Sequence, residues 1–492
     1  MEEEMEEETI DSPESASPKS EEDKFSLLPN ALIHHILSFV DDMRITVQMS
    51  ILSNRWRHIW KSLPVLTFRY DPIVSNGFFR DFVAAALMLR EDTDIRALTV
   101  LWIDPLNTDI DIADALNTWV LYAVKRKVKK LVFVIGVNKS QSFEFPECLF
   151  NCESLTDLHL YLGSMYRSTL CLPESIHLPK LKSLKFEALH LYEDLMNDFF
   201  TSCPALESVT IRNCIMGDLQ IVSHSLKHFT MVYSSFNATV SEVANSFLLF
   251  APNLESFDIK CHPSQLFGLF LKSLVKADVE MVVQEKRNSP YTYSELPGEA
   301  KDMFAKAMML MLEKFRSVKD LTLSSRFIQI ISRSPDLLKT KPPQLPNLRR
   351  MQLRTYLSKD CAQAILYLLR ISPKIESLSV RIDKDCLADQ PTVPYCDEIN
   401  FSSENIEEYW KPGLTSQYEP LHLKVVELVD VNGSVDELRF IEVFLKYAVR
   451  LEKVVLYWIW DGSDNLMDRV MKFDEKLRSL PKASSRVSTL FY

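Results

Sequence analysis

Apolar residues recur with a helical period in one part of the chain, residues 24–70. The spacing i, i+3, i+4, i+7 of one helix face is occupied by Trp56, Ile59, Trp60 and Leu63. An earlier stripe of the same kind consists of Leu32, Ile33, Ile36, Leu37 and Val40. Pro29 suits the first turn of that earlier helix. Asp41 and Asp42 can cap a second helix, and Ser53 can cap a third. The pattern predicts three short helices whose apolar surface exceeds what so small a module buries unaided.

The remainder of the chain repeats a shorter pattern of one apolar, two variable, one apolar, one variable and one apolar residue. Clear copies begin at Leu155, Leu181, Leu206, Leu226, Leu254, Leu274, Val318, Leu348 and Ile375, and weaker copies begin at Ile95, Val128, Leu423 and Leu451. Between 155 and 254 the steps are 26, 25, 20 and 28 residues. These steps are typical of leucine-rich repeats, whose length is about 20–29 residues.

A second regularity supports the repeats. A proline precedes the first apolar position by two residues in five copies, Pro179, Pro204, Pro252, Pro346 and Pro373. Helical patterns often come just before it, and proline ends a helix and favours an extended chain. We therefore predict an irregular α/β solenoid over residues 90–385, with parallel strands on a curved inner face. A loop or hinge is expected at residues 386–415.

Charge and composition exclude several classes of protein. Residues 1–23 carry eleven carboxylates and one lysine, so this tail of −10 accounts for nearly all of the net charge of −11. Such a segment is expected to be disordered. The nearly neutral remainder argues against a nucleic-acid surface, and no apolar run reaches the roughly 18 residues of a membrane-spanning helix. Without a secretory signal, nine scattered cysteines indicate reduced thiols in a nuclear or cytoplasmic protein.

The N-terminal stretches "LPNALIHHILSFV" and "SILSNRWRHIWKSLP" resemble the F-box of plant F-box proteins with leucine-rich repeats, over nearly all of residues 24–68, and the F-box is assigned to residues 24–70. The resemblance implies docking on the Skp-type linker of a cullin–RING ubiquitin ligase. Its implied contacts are Leu28, Pro29, Leu32, Ile33, Ile36 and Leu37, with Leu52, Trp56 and Trp60 completing or supporting the surface. The usual Leu-Pro turn is replaced by Val40-Asp41-Asp42. From the residues alone, a self-contained three-helix cap without a partner is the alternative.

A second resemblance concerns the C-terminal part. Residues 416–470 have a strand, a glycine, an acidic helix start and a second strand in the order of the FBD segment of plant F-box proteins. The expected role of such a segment is to close the end of the solenoid. Residues 471–492 are expected to form a C-terminal tail. The predicted fold class is therefore α/β, with a three-helix F-box, an irregular leucine-rich-repeat solenoid and an FBD-like cap.

No constellation for chemistry stands out in the sequence. Only nine glycines are present, against about 34 for an average chain of this length, and no P-loop or dinucleotide fingerprint occurs. We find no nucleophile elbow, no H-E-x-x-H and no paired cysteine motifs at zinc-site spacing. We predict no catalytic residue, no metal site and no cofactor.

These patterns favour an adaptor that holds the linker through the F-box and a protein target through the solenoid. The alternative is a scaffold that binds the linker and a partner without promoting ubiquitin transfer. Candidate target contacts are the variable positions of five strands: Asp157, His159, Tyr161, Ser183, Lys185, Glu187, Ser208, Thr210, Arg212, Ser256, Asp258, Lys260, Arg350, Gln352 and Arg354. Their mixed character identifies no particular target.

Overall fold

The computed structural model describes residues 28–52, 56–73, 75–103, 112–136, 142–163, 168–191, 193–216, 218–232, 246–261, 266–282, 298–332, 344–355, 357, 359–383, 422–460 and 466–492. The acidic tail at 1–23, the loop at 386–415 and the capping residue Ser53 all lie outside these described residues.

Twelve helices are found within the described ranges. They are α1 Asn30–Leu37, α2 Met43–Gln48, α3 Trp56–Ile59, α4 Asn76–Met88, α5 Ala113–Lys125, α6 Glu147–Phe150, α7 Glu193–Thr201, α8 Gly298–Glu313, α9 Ser325–Ser332, α10 Lys359–Ile371, α11 Val435–Tyr447 and α12 Leu466–Ser479. Pro29 is the N-cap of α1, one position earlier than the first turn where the sequence placed it. Asp42 caps α2, as predicted, by accepting a hydrogen bond from the backbone N–H of Arg44.

Fifteen of the described strands form one sheet, in the order β1-β2-β3-β5-β7-β9-β12-β14-β16-β17-β18-β19-β20-β21-β22. Their bounds are β1 Val65–Arg69, β2 Ala97–Trp102, β3 Lys130–Ile135, β5 Asp157–Leu162, β7 Ser183–Glu187, β9 Ser208–Arg212, β12 His228–Val232, β14 Ser256–Cys261, β16 Lys276–Met281, β17 Asp320–Leu323, β18 Arg350–Thr355, β19 Ser377–Ile382, β20 Val425–Val431, β21 Lys453–Trp458 and β22 Ser488–Phe491. Every neighbouring pair is parallel. All thirteen copies of the repeat pattern lead into one of these strands, so the α/β solenoid is confirmed.

The prolines stand where the chain turns into a strand. Leu206 N–H donates to the carbonyl of Cys203, and Ile375 N–H donates to that of Ser372. Each bond closes a four-residue turn with proline at its second position, which the fixed φ of proline favours. Helix α7 ends before Pro204 and α10 ends before Pro373, as the sequence predicted.

The outer layer differs from the prediction in the middle of the solenoid. There the chain returns through short strands more often than through helices: β4 Ser142–Glu144, β6 Ser168–Cys171, β8 Leu189–Leu191 and β10 Ile215–Met216 form one small parallel sheet, and β11 Leu219–Val222, β13 Ser246–Phe250 and β15 Leu266–Phe270 form another. These strands cover the same core, since Phe247 of β13 stacks on Phe229 of β12 with ring centroids 5.4 Å apart. The alternating apolar positions of these segments, such as Leu219 and Ile221 in β11, suit a strand rather than a helix.

The sheet extends further at both ends than the sequence indicated. At the N-terminal end β1 falls inside the region assigned to the F-box, and Leu63, Leu66 and Phe68 repeat the solenoid spacing and are buried. At the C-terminal end α12 and β22 are formed by residues 466–491, most of which were expected to be a tail. The pattern is hidden there because Arg486 and Thr489 stand where the first two apolar residues of a copy would be.

Strands β20 and β21 of the FBD-like segment continue the sheet, and α11 connects them. The carboxylate of Glu437 is buried and accepts hydrogen bonds from the backbone N–H groups of Asn432, Gly433 and Ser434, at 3.1, 2.7 and 2.9 Å. The Ser434 hydroxyl in turn accepts from the Glu437 N–H, which completes a capping box at the start of α11. Gly433 has a φ of +86°, and a Cβ there lies 3.2 Å from the Trp458 ring.

We expect Gly433→Ala to lower the free energy of unfolding by about 1–2 kcal/mol, because a side chain in the left-handed region is strained and this one also meets Trp458. Urea denaturation of the full chain measures the change. Gly77→Ala in α4 is the control, since nothing lies within 4 Å of its added Cβ, and it should leave stability unchanged or slightly raised. Equal effects of the two substitutions would contradict the assignment.

Candidate functional site: an apolar patch and a polar sheet face

The N-terminal helices expose an unusual amount of apolar surface. Six large side chains are concerned, which we call the N-terminal patch, with exposed fractions in parentheses: Leu32 (49%), Ile36 (42%), Phe39 (72%), Ile45 (51%), Ile51 (87%) and Leu52 (66%). Leu32 and Ile36 lie on one face of α1 and Phe39 follows its end, while Ile45 lies on α2, Ile51 on the 3-10 turn Met49–Ile51, and Leu52 directly after that turn. Six exposed large apolar residues within 21 residues of chain are more than scattered surface residues account for, and such a concentration favours an interaction site.

The opposite side of the same helices belongs to the chain's own core. Ile33, Leu37, Trp56 and Trp60 are all at least 93% buried, together with Ile59 and Leu63. Ile33 and Leu37 each follow an exposed residue, Leu32 or Ile36, and therefore point to another side of α1. The apolar residues on one side of this helix fill the core, and those on the other side form the patch.

The structure thus divides the nine residues predicted to contact the linker. Leu32, Ile36, Leu52 and Pro29 are exposed and Leu28 is half-buried, whereas Ile33, Leu37, Trp56 and Trp60 are covered from within. Ile33 and Leu37 are therefore inaccessible to a partner in this structure and support the patch from inside, whereas Trp56 and Trp60 have the supporting position that the resemblance already allowed. Contact of these residues with a linker stays a prediction. Phe39, Ile45 and Ile51 were not among the predicted contacts. Helix α1 carries more apolar residues than one buried face requires, and this excess was the signal for a second apolar side.

Polar contacts join the N-terminal helices to the first repeat. The Arg90 guanidinium is buried, donates to the carbonyl of Leu63 and donates to the Thr93 hydroxyl at 3.1 Å. Burial lowers the pKa of this guanidinium. His34 of α1 is hydrogen-bonded to Ser62 at 3.1 Å. The patch is therefore held on the solenoid at a defined position, with one hydrophobic core running through both.

On the other side of α2, Arg44 links the N-terminal helices to the loop after β1. Its guanidinium donates to the Asp42 carboxylate at 2.8 Å and lies 3.4 Å from Asp71. Both carboxylates raise the pKa of Arg44, with the hydrogen bond to Asp42 contributing most. The turn that carries Ile45 is thereby attached to the end of the first sheet strand.

One face of the sheet is mainly polar from β5 to β19, and it is more apolar toward both ends, where Leu101 of β2 and Val429 of β20 lie on it. All fifteen predicted target contacts lie on it, because in each strand the alternate positions are buried. Parallel register places these residues in rows across the strands, for example His159 beside Lys185 and Lys185 beside Thr210. The structure therefore brings the predicted positions together on one surface.

A compact ionic cluster occupies this face at β5, β7 and β9. Glu187 accepts from His159 at 3.3 Å, and its other carboxylate oxygen lies 3.0 Å from Lys185 and 3.9 Å from Arg212. The hydrogen bond from His159, followed by the charge and hydrogen bond of Lys185, lowers the pKa of Glu187 to about 2, against the opposing effect of burial. Glu187 therefore orients three basic side chains.

A different arrangement occurs where β14 meets β16. Asp258 and Asp278 are directly opposite each other in the parallel register, and we find no hydrogen bond or ion pair for either carboxylate within the described ranges. Burial raises the pKa of both carboxyl groups, and the charge of Asp258 raises that of Asp278 further. Like charges opposite each other destabilise a sheet, so this part of the face is electrostatically unfavourable in the free protein.

Charges alternate at two places along the rim where the strands begin. Glu207 lies between Lys182 at 3.5 Å and Lys227 at 3.0 Å. Glu376 repeats the arrangement between Arg349 and Lys424, at 2.8 and 2.9 Å. These residues follow the first apolar position of their copies, so successive repeats place them side by side. The ladder of alternating charge was not predicted, although its residues can be read from the aligned copies.

The described residues contain no group of three or more His, Cys, Asp or Glu side chains placed to hold a metal ion. Among the helices of that part of the chain, none has the length and apolar character needed to span a bilayer.

We expect Glu187→Gln to lower the free energy of unfolding at pH 7 by about 1–2 kcal/mol, because the ionised carboxylate is stabilised in the folded state. A lowered pKa contributes stability that is complete above the unfolded value of 4.5 and is lost as pH falls toward the folded value of about 2. The difference from the wild type should therefore shrink between pH 6 and pH 3. Denaturant titrations at these pH values measure it, and a difference independent of pH would refute the assignment.

We expect Asp278→Asn to have the opposite effect and to raise the free energy of unfolding at pH 7 by about 0.5–1 kcal/mol, because it removes the repulsion with Asp258. Its raised pKa means that the ionised form is disfavoured by folding, so the wild type gains stability as pH falls and Asp278 takes up a proton. The advantage of the variant should then disappear. Thermal unfolding at pH 7 and pH 4 tests this, and Asp320→Asn, which loses the ion pair with Arg350, is a control expected to destabilise.

Known proteins resemble this chain both in its N-terminal helices and in its repeats. The F-box domain model matches residues 25–68, and the model described as "FBD-associated F-box protein At5g56370, LRR repeats" matches residues 116–265. Similar proteins of Arabidopsis thaliana include the putative F-box/FBD/LRR-repeat protein At1g66290, 28% identical with 71% of this chain and 76% of the relative covered. The putative F-box/LRR-repeat protein At3g18150 is 25% identical, with 93% and 90% covered. The F-box/FBD/LRR-repeat protein At5g22660 is 26% identical, with 80% and 85% covered. The resemblance to plant F-box/FBD/leucine-rich-repeat proteins is confirmed.

Proposed function

We propose that this chain is a non-catalytic substrate adaptor of an SCF-type cullin–RING ubiquitin ligase, acting in the nucleus, the cytoplasm or both. The N-terminal patch binds a Skp-type linker, and the polar sheet face binds the protein to be ubiquitylated. The observation that carries the proposal is the patch itself: six exposed apolar side chains within the residues matched by the F-box model.

The size and character of the patch support a protein partner. Fully burying one large apolar side chain contributes about 1.5–3 kcal/mol, and the centre of a protein interface is formed by a few such anchors. Because Trp56, Trp60 and Leu63 hold the helices from below, the exposed residues meet a partner without prior rearrangement. This reduces the entropic cost of association.

The sheet supports the second half of the proposal. Fifteen strands spaced about 4.8 Å apart give a face on the order of 65 Å long, which exceeds the extent of a standard protein interface. The shared core fixes the direction of this face relative to the patch. An adaptor needs that property, since the target has to be presented to the rest of the ligase at a defined place.

We expect Ile36→Ser combined with Phe39→Ser to weaken binding of a purified Skp-type linker by at least 30-fold, the effect of about 2 kcal/mol at an interface centre. Isothermal titration calorimetry measures the affinity, and circular dichroism checks that the variant remains folded. Met88→Ser is the matched control, because Met88 is 76% exposed on α4, outside the patch, and binding should not change.

Undiminished linker binding by the double variant would discard the docking assignment. In plant-cell extracts the wild type should also recover cullin together with the linker. Recovery of the linker alone would favour the alternative of a scaffold without ubiquitin transfer.

A further inference from the structure

A cleft lies in the outer layer of the solenoid, at the place where strands give way to helices. Strand β15 is the last strand of its small outer sheet, and α8 packs against it. A helix is about 10 Å wide, whereas neighbouring strands lie about 4.8 Å apart, so the two kinds of element leave a gap where they meet. The cleft has a volume of about 260 Å³ and is lined by residues from the ends of β13, β15 and α8.

Two aromatic rings form an apolar wall of this cleft. Phe250 and Phe270 are register partners at the ends of β13 and β15, and their ring centroids are 5.8 Å apart. The Phe270 side chain is 57% exposed, although Leu269 directly before it is buried in the core. Aromatic side chains that become covered on binding are among the strongest contributors to protein interfaces. A pair of rings beside a cleft therefore favours a ligand with a large apolar group.

The remaining wall of the cleft is basic. Lys272 follows β15, and Lys314 and Arg316 follow α8. All three are exposed, and we find no ion pair for any of them within the described ranges. Glu313 is the one carboxylate among the residues that line the cleft, so the site has an excess of positive charge. Ser317 also lines it, and its hydroxyl is buried without a hydrogen-bond partner in the described part of the chain. Such a donor is costly unless an acceptor is supplied.

The size of the cleft distinguishes between two kinds of ligand. Sites for whole small molecules usually enclose about 300–1,000 Å³. A cleft of about 260 Å³ is smaller and accommodates one large side chain. The cations stand beside the rings, where the residues that flank such a side chain along a polypeptide would lie. A protein segment therefore fits the arrangement better than a free small molecule does.

We infer that this cleft binds an acidic segment of a partner protein, which inserts one aromatic side chain against Phe250 and Phe270. Carboxylates on either side of the inserted ring pair with the three cations. The site belongs to the outer layer, whereas the N-terminal patch and the sheet face lie elsewhere on the chain. The inference therefore goes beyond the proposed function and does not depend on it.

The test uses the full chain and isothermal titration calorimetry with unlabelled peptides, because a fluorescent dye is itself aromatic and often anionic. The probe is a capped peptide that contains one phenylalanine between two pairs of glutamates, with glycine at both ends. One matched peptide has alanine in place of the phenylalanine, and another has lysines in place of the glutamates. We expect the probe to bind at least tenfold more tightly than either matched peptide, because it alone combines the ring with the negative charge.

Two variants of the cleft should each weaken binding of the probe at least fivefold. Phe270→Ala removes the exposed ring, and Lys314→Gln combined with Arg316→Gln removes two of the three cations. All three residues follow or end their elements at the surface, so we expect both variants to fold. Circular dichroism and undiminished linker binding on the same samples check this.

Each cleft variant has a matched control elsewhere on the chain. Phe78→Ala removes a ring of α4 that is 59% exposed. Lys129→Gln combined with Lys130→Gln removes two exposed cations where β3 begins. Affinity for the probe should stay within twofold of the wild type in both controls. An equal loss in the cleft variants and their controls would mean nonspecific binding and overturn the site.

Two further outcomes would also contradict the inference. One is equal affinity for the probe and for the peptide with alanine, because the cleft would then contribute nothing beyond charge. The other is competition by N-acetylphenylalanine as strong as that of the probe. Such a result would identify a site for a small aromatic acid, and the protein segment would be wrong. We expect N-acetylphenylalanine to compete at least tenfold less well than the probe.

Discussion

Each strand of the long sheet buries its apolar side chains only because another strand lies beside it in register. In β5, Leu158, Leu160 and Leu162 are buried against the outer layer, while the backbone groups bond to β3 and β7. A single repeat satisfies neither requirement alone, so the solenoid needs its neighbours and needs its ends closed. The N-terminal helices close the first end, and Trp56, Trp60 and Leu63 act as the last layer of the repeat core. Their outer side is then left exposed as the N-terminal patch.

Much of this architecture was predictable from residue spacing. The copies of the repeat pattern identify thirteen strands, because one apolar period determines both the strand and its buried face. The first strand was missed since its copy, Leu63, Leu66 and Phe68, overlaps the helical period of the preceding tryptophans. The last strand was missed since Arg486 interrupts the pattern. The outer layer was only partly predicted, because a short apolar segment between strands is compatible with a helix or a strand until its length is fixed by packing.

The candidate site was predictable in composition but not in orientation. A helix such as α1, apolar on most sides, does not reveal which side is covered by the chain itself, and so Ile33 and Leu37 could not be distinguished from Leu32 and Ile36. The sheet face was easier, because alternation assigns Lys185 and Glu187 to one side. Ion pairs depend on the register between repeats. The cluster around Glu187 and the opposition of Asp258 and Asp278 therefore became visible only with the strands aligned.

The rim of the solenoid and its sheet face differ in how their charged residues are arranged. Along the rim, Glu207 and Glu376 each stand between two cations, so these two carboxylates are neutralised within the chain. On the sheet face, residues of the same charge lie opposite each other, at Asp258–Asp278 and at Arg354–Arg381. Replacing one residue of either pair by a neutral one would remove the repulsion. Such oppositions lower the stability of the free sheet. Like charges also meet on the rim, where Lys319 stands beside Arg349, so an opposition on the sheet face matters for function only where a bound partner supplies the opposite charge.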